Sequence, residues 1–228
     1  MAERTFDAVV FDMDGVLCDS EPFIAAAAAE ALRRRYGIAV RREDFAPFVG
    51  AGDDRFIRGG AEAHGVTADL AIDKPLTYEI YLELVAASLQ PVRGVHAFLA
   101  EARAAGLRLA LATGSDRPKL DGNLAAIRVE ESVFEVVVSA EDITRKKPDP
   151  ETFLRAIEGL GLPPARCLVV EDAVNGIRAG RAAGCRVLGI TSSLSAESLL
   201  AAGAMATAPD FTAVPGEVRA ALGLGSVT

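Results

Sequence analysis

Four short stretches of the chain carry residues that could do chemistry together. The first is Asp12-Met13-Asp14-Gly15, directly after the apolar run 8–11, and the second is Thr113-Gly114-Ser115, after the apolar run 107–112. The third is Lys147-Pro148-Asp149-Pro150, and the fourth is Glu171-Asp172, which follows the apolar run 167–170. Each alone has an ordinary structural use. Asp-x-Asp-Gly suits a turn, an acid after a strand caps the next helix, and Lys-Pro-Asp-Pro suits a turn ahead of a helix that opens on proline. As a set they have one coherent chemical use. Oxygens of Asp12 and Asp172 suit a hard cation such as Mg2+. A carboxylate is a competent nucleophile toward phosphorus, and a nearby cation offsets the repulsion between Asp12 and an incoming phosphate. Thr113, with the backbone N–H groups of Gly114 and Ser115, offers donors to phosphoryl oxygens. Lys147 supplies positive charge where negative charge spreads in the transition state. Asp14 can protonate a leaving alkoxide and then take a proton from water. Gly15 permits the tight turn the chain needs there.

These residues work together only if the fold brings them to one place. Apolar, β-branched runs at 7–11, 107–112, 134–138, 166–170 and 186–190 predict strands. Helical patterns at 95–105, 117–127, 150–160 and 173–183 lie between them. Apolar strands alternating with helices predict an α/β fold, a doubly wound, mostly parallel sheet covered on both faces. In such sheets ligands bind beyond the carboxyl ends of the strands, which is where the four stretches fall. Residues 20–91 break the alternation. They show helical periodicity at 22–36, 42–48, 54–64 and 76–89 and no convincing strand. The expected organisation is an α/β catalytic core of residues 1–19 and 92–228, with an all-helical cap domain inserted at 20–91 and hinges near 18–22 and 90–94.

Composition narrows the class of partner. The 228 residues carry a net charge of -8, with no concentration of Lys and Arg, so nucleic acid is not an expected partner. Residues 24–29 form the longest apolar run near the start, far short of a membrane span. The apolar start at 8–11 is too short for a secretory core, so no signal peptide is read there. Cys18, Cys167 and Cys185 are odd in number and widely spaced, which suits reduced thiols in a cytoplasmic protein.

Four motifs in this order resemble the haloacid dehalogenase (HAD) superfamily, in the capped branch of β-phosphoglucomutase-like and phosphoglycolate-phosphatase-like enzymes. They are Phe11-Asp12-Met13-Asp14-Gly15-Val16, Leu111-Ala112-Thr113-Gly114-Ser115, Lys147-Pro148-Asp149-Pro150 and Val170-Glu171-Asp172-Ala173. The resemblance implies a Rossmann-like core with a helical cap. It implies Asp12 as nucleophile and metal ligand, and Asp14 as acid and base with its backbone carbonyl on the metal. Thr113 and Lys147 become the phosphate-binding hydroxyl and lysine, Asp172 a metal ligand, and Glu171 its helper. Two departures bear on substrate. Ile24 stands where relatives often carry a histidine, and Asp53 stands near where the mutases place an arginine for a second phosphate.

The expected function is a Mg2+-dependent phosphatase acting on a small phosphorylated metabolite of the sugar-phosphate type through an aspartyl-phosphate. A β-phosphoglucomutase-like phosphosugar mutase is the alternative, and a non-catalytic binding module is the alternative from another class. Gly50 and Arg55, in a glycine-rich cap loop, are candidate substrate contacts, weighed evenly against a plain turn between helices. His64 and His96 read as surface or helix-end residues, and Cys18 as structural. Gly176, Gly180 and Gly184 read as small residues that allow close helix-to-sheet packing.

Overall fold

A strand buried on both faces must be apolar at every position, and β1 (Ala8–Phe11) is: all four of its residues are buried. The computed structural model describes residues 4–48 and 52–225. After β1 the chain forms α1 (Glu21–Tyr36), α2 (Arg42–Phe45), α3 (Asp53–Glu62) and α4 (Leu70–Ser88). It then alternates through α5 (Val95–Ala104), β2 (Arg108–Ala112), α6 (Arg117–Ala126), β3 (Val136–Val138), α7 (Glu151–Leu160) and β4 (Cys167–Glu171). The remainder is α8 (Val174–Ala182), β5 (Arg186–Ile190), α9 (Ala196–Ala202), β6 (Ala206–Ala208) and α10 (Gly216–Leu222).

The six strands pair in parallel in the order β3-β2-β1-β4-β5-β6. The chain winds outward from β1 on one side, then crosses to β4 and winds outward on the other. This is the expected doubly wound α/β sheet, and its switch point lies between the carboxyl ends of β1 and β4.

The period of two along each strand sends alternate residues to opposite faces. Val9, Phe11, Leu111, Leu168 and Val170 pack with Phe98 of α5 and Val218 and Leu222 of α10. Val10, Ala112, Val169 and Val187 pack on the other face with Phe153 and Ile157 of α7, Ile177 of α8 and Leu199 of α9. Each fully buried Phe or Leu contributes about 1.5–3 kcal/mol of hydrophobic stabilisation. Phe11 anchors the first face, with its ring centroid 6.2 Å from that of Phe98 and 6.1 Å from that of Phe211.

Helices α1 to α4 pack on one another, and α4 packs on α6. Alanines 25, 27, 28 and 31 of α1 are buried, and small side chains there let α1 and α4 approach closely. The two connections to this insertion run side by side: Val92 N–H donates to the Leu17 carbonyl at 2.9 Å, and Cys18 bridges Pro91.

Five elements differ from the sequence expectation. β6, α9 and α10 are unanticipated, because Ala206-Thr207-Ala208 is a three-residue edge strand with no apolar run to announce it. α4 starts at Leu70 rather than at 76: Asp69 caps it by accepting from the Ala71 N–H at 3.1 Å, and Pro75 is held inside at the loss of one backbone bond. α2 ends at Phe45, and a 3-10 turn carries the chain through Ala46–Phe48.

Candidate active site

The site is set by strand register. Phe11 pairs with Val170 in the parallel ladder, and the Asp12 N–H donates to the Val170 carbonyl at 3.0 Å. Asp12 therefore leaves the sheet level with Glu171. Lys147, from the loop before α7, reaches both: its Nζ lies 2.5 Å from Asp12 Oδ1 and 2.7 Å from Glu171 Oε1. The ammonium also sits 4.5 Å from the centre of the Phe153 ring. Glu171 Oε2 accepts the N–H groups of Asp172 and Ala173, both at 2.8 Å. Asp172 Oδ2 accepts from the Ser193 hydroxyl at 2.5 Å.

Asp12, Glu171 and Asp172 are buried, and one oxygen of each lies within 4.8 Å of the others. Burial pushes the Asp12 carboxyl up, Lys147 opposes the rise, and Glu171 and Asp14 add to it. Burial also pushes Asp172 well above the carboxylate range, with Glu171 adding repulsion. Burial disfavours the Lys147 cation, but Asp12 and Glu171 outweigh it and raise its pKa. Three buried carboxylates thus share the Lys147 ammonium and remain short of positive charge. An all-oxygen, net anionic cluster of this kind fits a hard divalent cation such as Mg2+.

Asp14 is held by a different set of groups. Oδ1 accepts from the Ser20 hydroxyl and from Asn123 Nδ2 at 3.3 Å, and Oδ2 accepts from the Ser115 hydroxyl at 2.6 Å. Lys119 Nζ lies 3.3 Å from Oδ1. Burial acts to raise this carboxyl, but the Lys119 charge and the Ser115 and Ser20 hydroxyls bring it below its usual range. Ser20 is the N-cap residue of α1, yet its side chain makes no capping bond; the hydroxyl is spent on Asp14 instead. Gly15, directly after Asp14, has φ 77°, and a Cβ there would run into the Asp172 carboxylate. Backbone conformation and space both demand glycine.

A family model of haloacid dehalogenase-like hydrolases matches residues 6–184. The chain belongs to this family. It is 38% identical over 201 residues to the chloroplastic protein SUPPRESSOR OF QUENCHING 1 of Arabidopsis thaliana; the match covers 86% of this chain but only 19% of that protein's length. A phosphorylated carbohydrates phosphatase of Thermotoga maritima is 31% identical over 205 residues, covering 88% of this chain and 93% of the relative. The crystal structure of CbbY from Rhodobacter sphaeroides in complex with phosphate superposes with a TM-score of 0.80 at 26% identity, covering 90% of this chain and 95% of that one.

In this HAD-like hydrolase the carboxyl ends of the strands open into a pocket of about 830 Å3 lined by Asp12, Asp14, Thr113, Gly114, Ser115, Lys147, Glu171 and Asp172. The facing wall comes from the helical insertion and includes Ile24, Phe45, Phe48, Asp53 and Phe56. Thr113 is buried, and its hydroxyl accepts the Ser115 N–H at 3.1 Å. That N–H, expected at the substrate, is thus engaged within the loop. A Cβ on Gly114 would meet open space.

Other sequence expectations fall away from the pocket. Arg55 does not line it: the guanidinium pairs with Glu62 at 2.7 Å and stacks 4.4 Å over the Phe48 ring, so it packs behind a wall residue. Gly50 lies outside the described residues. His64 Nε2 meets Asp44 at 2.9 Å, and His96 Nε2 meets the Ile127 carbonyl at 2.8 Å. Cys18 is buried, and burial pushes its thiol up. Of the three spaced glycines, Gly180 does pack on the sheet, where a Cβ would stand 2.8 Å from Val187 Cγ2. Gly176 instead leaves room for the Glu171 carboxylate, and Gly184 lies beyond the end of α8. No described helix is long and apolar enough to cross a membrane.

Residues that sequence reading missed surround Asp14: Ser20, Lys119 and Asn123, with Tyr78 and Tyr81 behind them and Asp53, read there only as a departure from the mutases, beside Lys119. The signal lay in spacing. Asp116, Lys119 and Asn123 fall at i, i+3 and i+7 of one helix, and Lys74, Tyr78 and Tyr81 at i, i+4 and i+7 of another.

Proposed function

We propose that the chain is a Mg2+-dependent phosphatase that hydrolyses a small phosphorylated metabolite of the sugar-phosphate class through an aspartyl-phosphate on Asp12. The observation that carries this is the division between two carboxylates two residues apart. Asp12 is held by Lys147 beside Glu171 and Asp172, and Asp14 by hydroxyls and Lys119. One is placed to attack phosphorus and the other to move a proton.

In the first step an Asp12 oxygen bonds to phosphorus as the bond to the leaving alkoxide breaks, and Asp14, in the protonated form that Lys119 and the two hydroxyls disfavour in the free site, gives the leaving oxygen its proton. In the second, Asp14 takes a proton from a water that attacks the same phosphorus, and the Asp12–phosphorus link breaks to release phosphate. Lys147 and the Thr113 hydroxyl offset charge on the phosphoryl oxygens. Asp12, Glu171 and Asp172, with the Asp14 carbonyl, would hold Mg2+, which supplies the positive charge that two anions in contact require. Residues 20–91 serve as a cap over the core of 1–19 and 92–228, closing on the paired connections near 18–22 and 90–94 and excluding water.

The name of the Thermotoga relative supports a phosphorylated carbohydrate as substrate. Hydrolysis is favoured over mutase chemistry by two wall residues. Ile24 offers no proton-transfer group, and Asp53, an anion paired with Lys119, stands near where the resemblance gives the mutases an arginine. Three buried free cysteines suit a reducing, cytoplasmic setting. The test is phosphate release from p-nitrophenyl phosphate with Mg2+: Asp12→Asn abolishes it, and substantial remaining turnover would refute the assignment.

A further inference from the structure

Lys119 lies outside the four motif segments, yet it is 5% exposed. A buried ammonium is costly unless anions face it, and this one faces two from different parts of the chain. Its Nζ is 3.3 Å from Asp14 Oδ1 on the core loop and 3.7 Å from Asp53 Oδ1 at the start of α3 in the insertion. Asp53 is fixed in turn, because its other oxygen accepts from the Tyr78 hydroxyl of α4 at 2.7 Å. One turn along α6, Asn123 repeats the arrangement. Its Nδ2 donates to Asp14 at 3.3 Å, and its Oδ1 accepts from the Tyr81 hydroxyl of α4 at 2.5 Å. The Tyr81 ring also borders the Lys119 cation, 5.7 Å from its centroid. At the outer end of the same seam Lys74 of α4 pairs with Asp116.

The seam between α4 and α6 is therefore a polar ladder, and its inner rungs end on Asp14. If the insertion swings away, Lys119 loses Asp53, Asn123 loses Tyr81, and these two of the four groups that hold the Asp14 carboxylate lose their backing. We propose that Lys119 is a positioning residue that, through Asp53, seats Asp14 for proton transfer when the insertion is docked. The inference rests on the reading of Asp14 as acid and base.

The experiment compares kcat/KM, which covers the steps through departure of the alcohol, on two substrates. p-Nitrophenyl phosphate has a leaving group that needs no proton; an alkyl sugar phosphate turned over by the wild type has one that does. General acid catalysis is worth about 10²–10⁴-fold. Lys119→Met is therefore expected to lose about 10-fold or more beyond its loss on the aryl ester when assayed on the alkyl ester. Asp53→Asn, which keeps the volume and the Lys119–Asp14 contact, is expected to show the same imbalance at smaller size and decides the matter if Lys119→Met does not fold. The double variant should lose little more than Lys119→Met alone, since both act through one link. Equal losses on the two esters, or independent losses in the double variant, would overturn the proposal. A wild type that hydrolyses neither ester would instead defeat the phosphatase reading.

Discussion

Lys147 Nζ and Asp12 Oδ1 are 2.5 Å apart, although 135 residues separate them in the chain. The contact joins the loop before α7 to the end of β1, and it supplies positive charge to a site where Glu171 and Asp172 crowd the same space. Lys147→Met should cut kcat/KM for a phosphate ester by about 10²–10³-fold, the loss typical of one transition-state donor. It should also lower the melting temperature of the metal-free protein, because Asp12 and Glu171 would be left without their ammonium. Steady-state kinetics and a thermal melt measure both.

Asp172 points the other way on stability. A carboxyl whose pKa is raised by folding favours the fold at low pH and loses that advantage as pH rises. Above the unfolded value the raised pKa therefore costs the metal-free fold stability, through burial and Glu171 repulsion. Asp172→Asn removes that cost. The metal-free variant should melt higher than wild type, by about 2–4 °C per kcal/mol regained. On the proposed Mg2+ site, wild type should melt higher with Mg2+ than without it, and that shift should vanish in the variant. Melts with Mg2+ and with EDTA check this; a lower melting point together with an intact Mg2+ response would contradict it.

Two glycines next to the site should fail in different ways. Gly15→Ala puts a side chain into the Asp172 carboxylate at a positive φ, so folding stability and the Mg2+ response should both drop. Gly114→Ala puts its methyl into open pocket space, so the fold should be unchanged and KM should rise. Paired melts and Michaelis curves separate the two.

Asp7 offers a pH test away from the site. Arg166 donates to both its oxygens, at 2.7 and 2.8 Å, and Arg4 adds a third bond at 3.1 Å. The Arg166 bonds hold the carboxyl below its usual range. A lowered folded pKa gives stability that is present above the unfolded value, near 3.8, and is lost as pH falls through the folded one. Asp7→Asn should therefore cost about 1 kcal/mol at pH 7, as expected for a half-exposed pair, and nothing measurable once wild type is itself protonated. Urea melts at pH 7 and in acid measure the difference.

The sheet was legible because its strands are buried on both faces, so Val9-Val10-Phe11 and Leu168-Val169-Val170 could be nothing else of that length. Parallel strands then bring their carboxyl ends together, which gathers Asp12, Thr113 and Asp172 without any knowledge of distance. What stayed hidden depends on pairings between helices. The spacing of Asp116, Lys119 and Asn123 marks one polar face of α6, but Lys119 still looks like a surface lysine until α4 is laid against that face and Tyr81 and Asp53 cover it. Arg55 shows the converse: a cation in a suggestive loop, drawn off by Glu62 and Phe48. β6 was missed because Ala206-Thr207-Ala208 carries too little apolar bulk to stand out.

The bond between Val92 and Leu17 means that the chain leaves the sheet and returns to it at neighbouring points. Whatever is carried between those points hardly constrains the path of the strands on either side. On the proposed division into cap and core, the insertion is a cassette whose length, helix count and pocket wall should be exchangeable while Asp12, Lys147 and Asp172 keep their places. Grafting another relative's insertion between residues 18 and 91 should transfer substrate preference while leaving the core's strand register untouched.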